Sequence, residues 1–187
     1  MPPFQAFVDK HGEGHHCRAV EFETIQKYRG LVPDALLEHW SQAGWCSYGN
    51  EFIWLTNPDD YREVLSEWMG ERARNTFVFG RTAFGDLFLW RVDGVYELFV
   101  HQGQMMFFID DLADYLNFSL TQDDYLDKTL GRPLYQQARA KLGPLNYEQM
   151  YGFEPALALG GSGEIETVVK VRIYEHLSIL AQVTGGV

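Results

Sequence analysis

The sequence predicts an α+β domain: a central, mostly antiparallel β-sheet with helices packed around it. Three observations carry this. Thr82-Ala83-Phe84-Gly85-Asp86-Leu87-Phe88-Leu89-Trp90-Arg91 is the most apolar run in the chain, and near-continuous apolarity suits a strand covered on both faces. Strand-like runs flank it: Thr76–Gly80 upstream, Val95–Val100 and Met105–Ile109 downstream, separated by short polar turns such as Asp93-Gly94. On either side lie stretches with apolar residues at helical spacing. Four strands with short connections make an antiparallel meander.

The elements follow in order. Phe4 to Lys10 reads as a short helix with Phe4, Phe7 and Val8 on one face. His11 to Cys17 reads as a surface loop. Its His and Cys residues invite a zinc reading, but adjacent His15 and His16 have the wrong spacing for one ion and no C-x-x-C completes a set. Glu21–Tyr28 is a weak helix. Pro33 fits the first position of a clearer one, with Asp34 at its positive end, Leu36, Leu37 and Trp40 inward, and Gly44 as terminator. Ser47–Asn50 reads as a connection and Phe52–Leu55 as a strand. Asn57-Pro58-Asp59-Asp60 is the strongest helix start, leading into Tyr61, Val64, Leu65, Trp68 and Met69, and Gly70 ends it.

Within the central run, Gly85 lets the backbone bend before Asp86. Asp86 needs a partner or a displaced pKa if buried, and binding its own turn is the simplest role. After the meander, Asp110-Asp111 opens one helix, Thr121 caps another, and Gly131-Arg132-Pro133 opens a third that stops at Gly143-Pro144. Tyr147–Gly152 has no assignment, Pro155–Gly161 reads as a short buried strand, and Thr167–Val171 is either strand or helix. A last helix carries Ile173, Leu177, Leu180 and Ala181 on one face, with His176 on its surface.

The chain has 187 residues, enough for one domain or two small modules sharing a core, and is 46% hydrophobic. No apolar run is long enough to span a bilayer, and Met1-Pro2-Pro3-Phe4 starts no signal peptide, so a cytoplasmic location is expected. Cys17 and Cys46 are too few for a disulfide framework, and reduced thiols are the expectation. The net charge of −11 disfavours direct binding to nucleic acid and favours a basic protein partner, although acidity also serves solubility alone.

No nucleophile elbow, P-loop, dinucleotide fingerprint or HExxH motif is present. Gly160-Gly161-Ser162-Gly163 lacks the Lys-Ser/Thr of a phosphate loop and reads as a flexible turn. No cofactor or metal is expected. Asp110, Asp111, Asp114, Asp123, Asp124 and Asp127 crowd a segment whose only base is Lys128. Concentrated carboxylates make a local negative field, which gives a docking surface for a positively charged protein; the competing reading is a solvated helix face.

Five stretches carry a resemblance. They are Leu31–Trp40 with Gly44, Trp54–Tyr61, Thr82–Trp90, Met150–Gly161 and Glu175–Gln182. Together they resemble the GAD-like-domain immunity proteins of bacterial type VI secretion systems. The resemblance implies a GAD-like region over 1–72, a C-terminal immunity region over 73–187, and one compact core shared between them. It implies a non-enzymatic cytoplasmic antitoxin that binds and blocks a cognate toxin, with a DNase effector and its basic nuclease surface as the expected partner. It carries over no site residues. The order of elements is also similar to the SMI1/KNR4 (SUKH) class, which leaves a toxin-free regulatory or scaffold module as an alternative. An enzyme using Asp86 or the Asp110/Asp111 pair is the third reading.

Overall fold

The computed structural model describes residues 3–187. Met1 and Pro2, part of the start read as lacking a signal peptide, lie outside the described residues. The chain runs α1 (Gln5–His11), β1 (His15–Arg18), α2 (Phe22–Tyr28), α3 (Asp34–Ala43), β2 (Trp45–Tyr48) and β3 (Ile53–Leu55). It continues with α4 (Arg62–Met69), β4 (Phe77–Thr82), β5 (Leu87–Arg91), β6 (Gly94–Phe99) and β7 (Gln104–Ile109). Then come α5 (Leu112–Asn117), α6 (Asp123–Lys128), α7 (Arg132–Leu142), β8 (Gln149–Phe153), β9 (Val168–Arg172) and α8 (Ile173–Thr184).

The expected meander forms the last four strands of a larger one. Seven strands, β1 to β7, pair antiparallel in strict sequence order, and β8 and β9 form a separate hairpin. Three strands were hidden from the sequence, among them β8 in the stretch left without assignment. Trp45–Tyr48 is a fully buried strand where a connection was expected, and His15–Arg18 is an exposed edge strand where a loop was expected. The apolar run 82–91 is not one strand. Thr82 ends β4, Ala83 to Asp86 turn the chain, and β5 begins at Leu87. Gly85 adopts φ +85°, which only glycine reaches without strain, so the bend falls where expected.

The sheet is covered on both faces. Phe79 and Phe88 face a core built with Leu36 and Trp40 of α3, Tyr115 of α5 and Leu126 of α6. Val78, Leu87, Leu89 and Leu98 face a second core closed by Trp68 of α4 and Leu177 and Leu180 of α8. Trp68 Nε1 donates to the Leu177 carbonyl at 3.1 Å, which locks these two helices together. Burying each large apolar side chain is worth about 2 kcal/mol, so both faces stabilise the sheet.

Local signals succeed and fail for identifiable reasons. Asn57 Oδ1 accepts the Asp59 N–H at 3.1 Å, the expected cap, but the first turn is 3-10 before α4 begins. Pro33 sits one position before α3, not in its first turn. Thr121 does not cap α6. It ends a 3-10 turn and donates its hydroxyl to the Phe118 carbonyl, leaving Gln122 at the cap position. Pro155–Gly161 is not a buried strand: Leu157–Leu159 form a largely exposed 3-10 turn before β9. Thr167–Val171 resolves as strand, because β8 supplies its partner.

The thiols are a further correction. Cys17 and Cys46 are joined in a disulfide, with Cα atoms 4.1 Å apart. Twenty-nine residues separate them in sequence, and only the pairing of β1 with β2 brings them together.

Candidate interaction surface

The last strand of the sheet leads directly into the acidic segment. β7 ends at Ile109 against Val95 of β6, and Asp110 and Asp111 follow at the sheet corner. Asp111 caps α5, its Oδ1 accepting the Asp114 N–H at 2.9 Å. Capping turns the chain so that Leu112, Tyr115 and Leu116 go inward while Asp110, Asp111 and Asp114 stay exposed.

The six aspartates do not form one uniform field. Asp123 binds Lys10 at 2.7 Å and Arg132 at 2.8 Å, and the Lys10 ammonium, followed by Arg132, holds its carboxyl below the usual range. Asp127 binds Arg132 Nε at 2.6 Å, and Asp124 binds Lys128 at 2.9 Å. Lys128 is therefore not the only neighbouring base: Arg132 comes from the start of α7, five residues past Asp127, and Lys10 comes from α1, which local sequence does not show. Asp110, Asp111 and Asp114 have no ion-pair partner among the described residues. The segment divides into a compensated half on α6 and an uncompensated half at the β7–α5 corner.

A buried carboxylate holds this surface to the sheet. Glu97 of β6 is 1% exposed, and its Oε1 accepts the Tyr115 hydroxyl at 2.5 Å and the Tyr125 hydroxyl as well. Tyr115 belongs to α5 and Tyr125 to α6, so one side chain anchors both acidic helices. Burial raises the Glu97 pKa, and the two phenols oppose that shift. Phe108 packs its ring against both tyrosines, 5.2 Å from each. Glu97 was not singled out from sequence; its signal was a lone charge inside the apolar run Val95–Val100.

Asp86 is buried and makes the turn contacts expected of it. Its Oδ1 accepts the Val100 N–H at 3.0 Å, and its own N–H donates to Thr82 Oγ1 at 3.2 Å. Burial pushes its pKa up to about 7. Beside it, His101 Nε2 donates to the Phe84 carbonyl at 2.8 Å, leaving Nδ1 buried without a partner among the described residues. His176 is not a surface imidazole. It is half-buried, its ring centroid 6.3 Å from that of His101, and burial lowers its pKa. Among the described residues no group of three or more His, Cys, Asp or Glu is arranged to hold a metal ion, and no helix is long and apolar enough to cross a membrane.

The apolar edge beside the acidic corner was also missed. Met106 and Phe107 are 53% and 52% exposed. Sequence placed them in a meander strand without showing that no strand follows on the outer side.

The geometry defines a class: an α+β protein built on a seven-stranded antiparallel sheet, with exposed carboxylates and exposed Met106 and Phe107 beside its last strand. Residues 3–101 match the model of the GAD-like domain, and residues 110–184 match that of the T6SS immunity protein Tdi1, C-terminal. The chain belongs to the GAD-like family of type VI secretion immunity proteins. The two matched segments are separated by residues 102–109, which hold β7. Neither model is of the SMI1/KNR4 class, so that likeness remains one of element order. No curated protein matches. Among solved structures, the crystal structure of Atu4351 from Agrobacterium tumefaciens superposes with a TM-score of 0.82, covering 96% of this chain and 88% of that one at 18% identity. At that identity the likeness speaks for the fold.

Proposed function

We propose that the chain neutralises a cognate type VI secretion effector, a DNase, by presenting carboxylates to the basic surface that the nuclease uses for phosphate. The observation that carries this is the uncompensated trio Asp110, Asp111 and Asp114 on a chain of net charge −11. A nuclease groove concentrates positive potential for its phosphates, and an acidic protein competes for that groove and is steered to it. Asp123, Asp124 and Asp127 flank the surface with their charges largely offset. The action is stoichiometric binding in the cytoplasm, without turnover.

The test is co-expression with the effector encoded by the adjacent gene. Cells making both proteins should survive, and the purified pair should associate with a rate constant that falls steeply as salt rises. Loss of viability despite a folded chain would remove the immunity reading. Protection with a salt-independent rate would remove the acidic-surface mechanism and leave immunity standing.

A further inference from the structure

The seven-stranded sheet has two edges, and the chain treats them differently. β1 is short, carries His15, His16 and Arg18, has an irregular register against β2 and is tied to it by the Cys17–Cys46 bond. Polar and charged side chains with a distorted register are the usual protection of an edge against pairing with another chain. β7, at the other edge, reads Gln-Met-Met-Phe-Phe-Ile. It has no charge and no proline, but it too carries a bulge, at Phe108, where the register against β6 shifts between Phe107 and Ile109, so its regular stretch is 104–107. Among the described residues, no backbone or side-chain hydrogen bond reaches β7 other than its ladder with β6. Every second residue therefore directs an unpaired N–H and C=O outward.

Met106 and Phe107 stand exposed on this strand, and as consecutive residues they face opposite sides of the sheet. A strand added beside β7 would meet apolar surface on both of its faces. The regularly paired residues 104–107 give a docking length of about 13 Å. At the far end Asp110, Asp111 and Asp114 present charge with no ion-pair partner among the described residues.

We propose that the outer edge of β7 is the docking strand for an extended, basic segment of the cognate effector, which adds to the sheet as an eighth strand. Main-chain hydrogen bonds supply the register, Met106 and Phe107 the apolar contact, and the aspartates at the corner select lysine or arginine beyond the paired residues. A second copy of the chain offers the same edge, but each copy carries −11 and self-pairing sets two such charges side by side. This inference rests on the immunity reading above and adds where the effector is held.

The test uses the full chain and the catalytically inactivated effector from the adjacent gene. Hydrogen exchange is followed at the amides of 104–109, free and in complex. Affinity is measured for wild type, for the double variant Met106→Lys with Phe107→Lys, and for Leu159→Lys, which alters an exposed apolar residue on the 157–159 turn. Circular dichroism confirms that each variant folds. The proposal expects outward amides of β7 to become protected in the complex, a loss of affinity of at least tenfold for the double variant, and little change for Leu159→Lys. An effector that binds wild type while β7 amides stay unprotected, or that binds the double variant equally well, overturns the edge proposal and leaves immunity intact. An effector that does not bind wild type overturns both. A free chain that is dimeric with β7 already protected assigns the edge to self-association and overturns the proposal.

Discussion

Asp86 accepts the backbone N–H of Val100 at 3.0 Å, and in return His101, the next residue, donates to the carbonyl of Phe84 at 2.8 Å. The β4–β5 turn and the β6–β7 turn are thereby pinned at one end of the sheet by two buried ionisable groups. Burial drives their pKa values in opposite directions, Asp86 up to about 7 and His101 down to about 4.

Stability should therefore depend on pH through Asp86 in a specific direction. Its folded pKa lies above the ordinary 3.8, so its contribution is fully present below that value and is lost as pH rises through about 7. The variant Asp86→Asn keeps an acceptor for Val100 and removes the charge. Its stability relative to wild type should improve between pH 4 and pH 8 by on the order of 3 kcal/mol, read by urea unfolding at each pH. A difference that stays flat with pH would show that Asp86 does not charge in a buried site. His101 has the opposite sign, contributing above 6.5 and losing its contribution as pH falls through about 4, and it is common to both proteins.

Glu97 should matter more for the acidic helices than for the sheet. Glu97→Ala leaves two buried phenols without their acceptor and should cost about 3 kcal/mol. Hydrogen exchange should quicken first in α5 and α6, since Tyr115 and Tyr125 are their ties to β6. Uniform loss of protection across β4–β6 would count against this local role.

Reduction of the Cys17–Cys46 bond should lower stability by about 3 kcal/mol by loop-closure entropy, its partners being 29 residues apart. Denaturant midpoints with and without dithiothreitol measure it, and the double variant Cys17→Ser with Cys46→Ser should match the reduced protein. An unchanged midpoint would mean that the bond adds nothing to the β1–β2 pairing.

Gly44 ends α3 at φ +83°, and a Cβ there would lie 2.4 Å from the Arg18 carbonyl oxygen. Backbone cannot swing aside as a side chain can. Gly44→Ala should therefore cost about 2 kcal/mol or more and loosen β1 from β2. A melting temperature equal to that of wild type would refute the close approach.

The two halves of the aspartate segment should separate in binding kinetics. Asp110→Asn, Asp111→Asn and Asp114→Asn combined should slow association with the effector roughly tenfold at low salt, and Asn keeps the cap at 111. Asp123→Asn should change the rate less, because Lys10 and Arg132 already offset that charge. Equal effects from both sets would show that only total charge is sensed.

Much of this was legible in the chain itself. Phe7, Trp40, Trp68 and Leu177 announce their buried faces by spacing alone, and Asn57, Gly44, Gly70 and Gly143 mark real ends, because capping and helical periodicity are satisfied within a few residues. The β5–β6 hairpin and the α7 start are local in the same way. What failed was the choice of partner, sometimes a few residues away and sometimes far along the chain. Trp45–Tyr48 is a strand because Ile53 and Trp54 pair with it, Thr121 lost its cap to a turn begun at Ser119, and the two cysteines meet only when β1 docks.

The candidate surface divides along the same line. Sequence determined the density of aspartates between 110 and 127 and the apolar strand just before them. Which carboxylates remain free was decided by Lys10 and Arg132 arriving from α1 and α7, and which strand lies open was decided by where the sheet stops. Charge compensation acts through space over a few ångströms: the Asp124–Lys128 and Asp127–Arg132 pairs are local, but Lys10 reaches Asp123 from 113 positions away, and local sequence carries no record of that arrival.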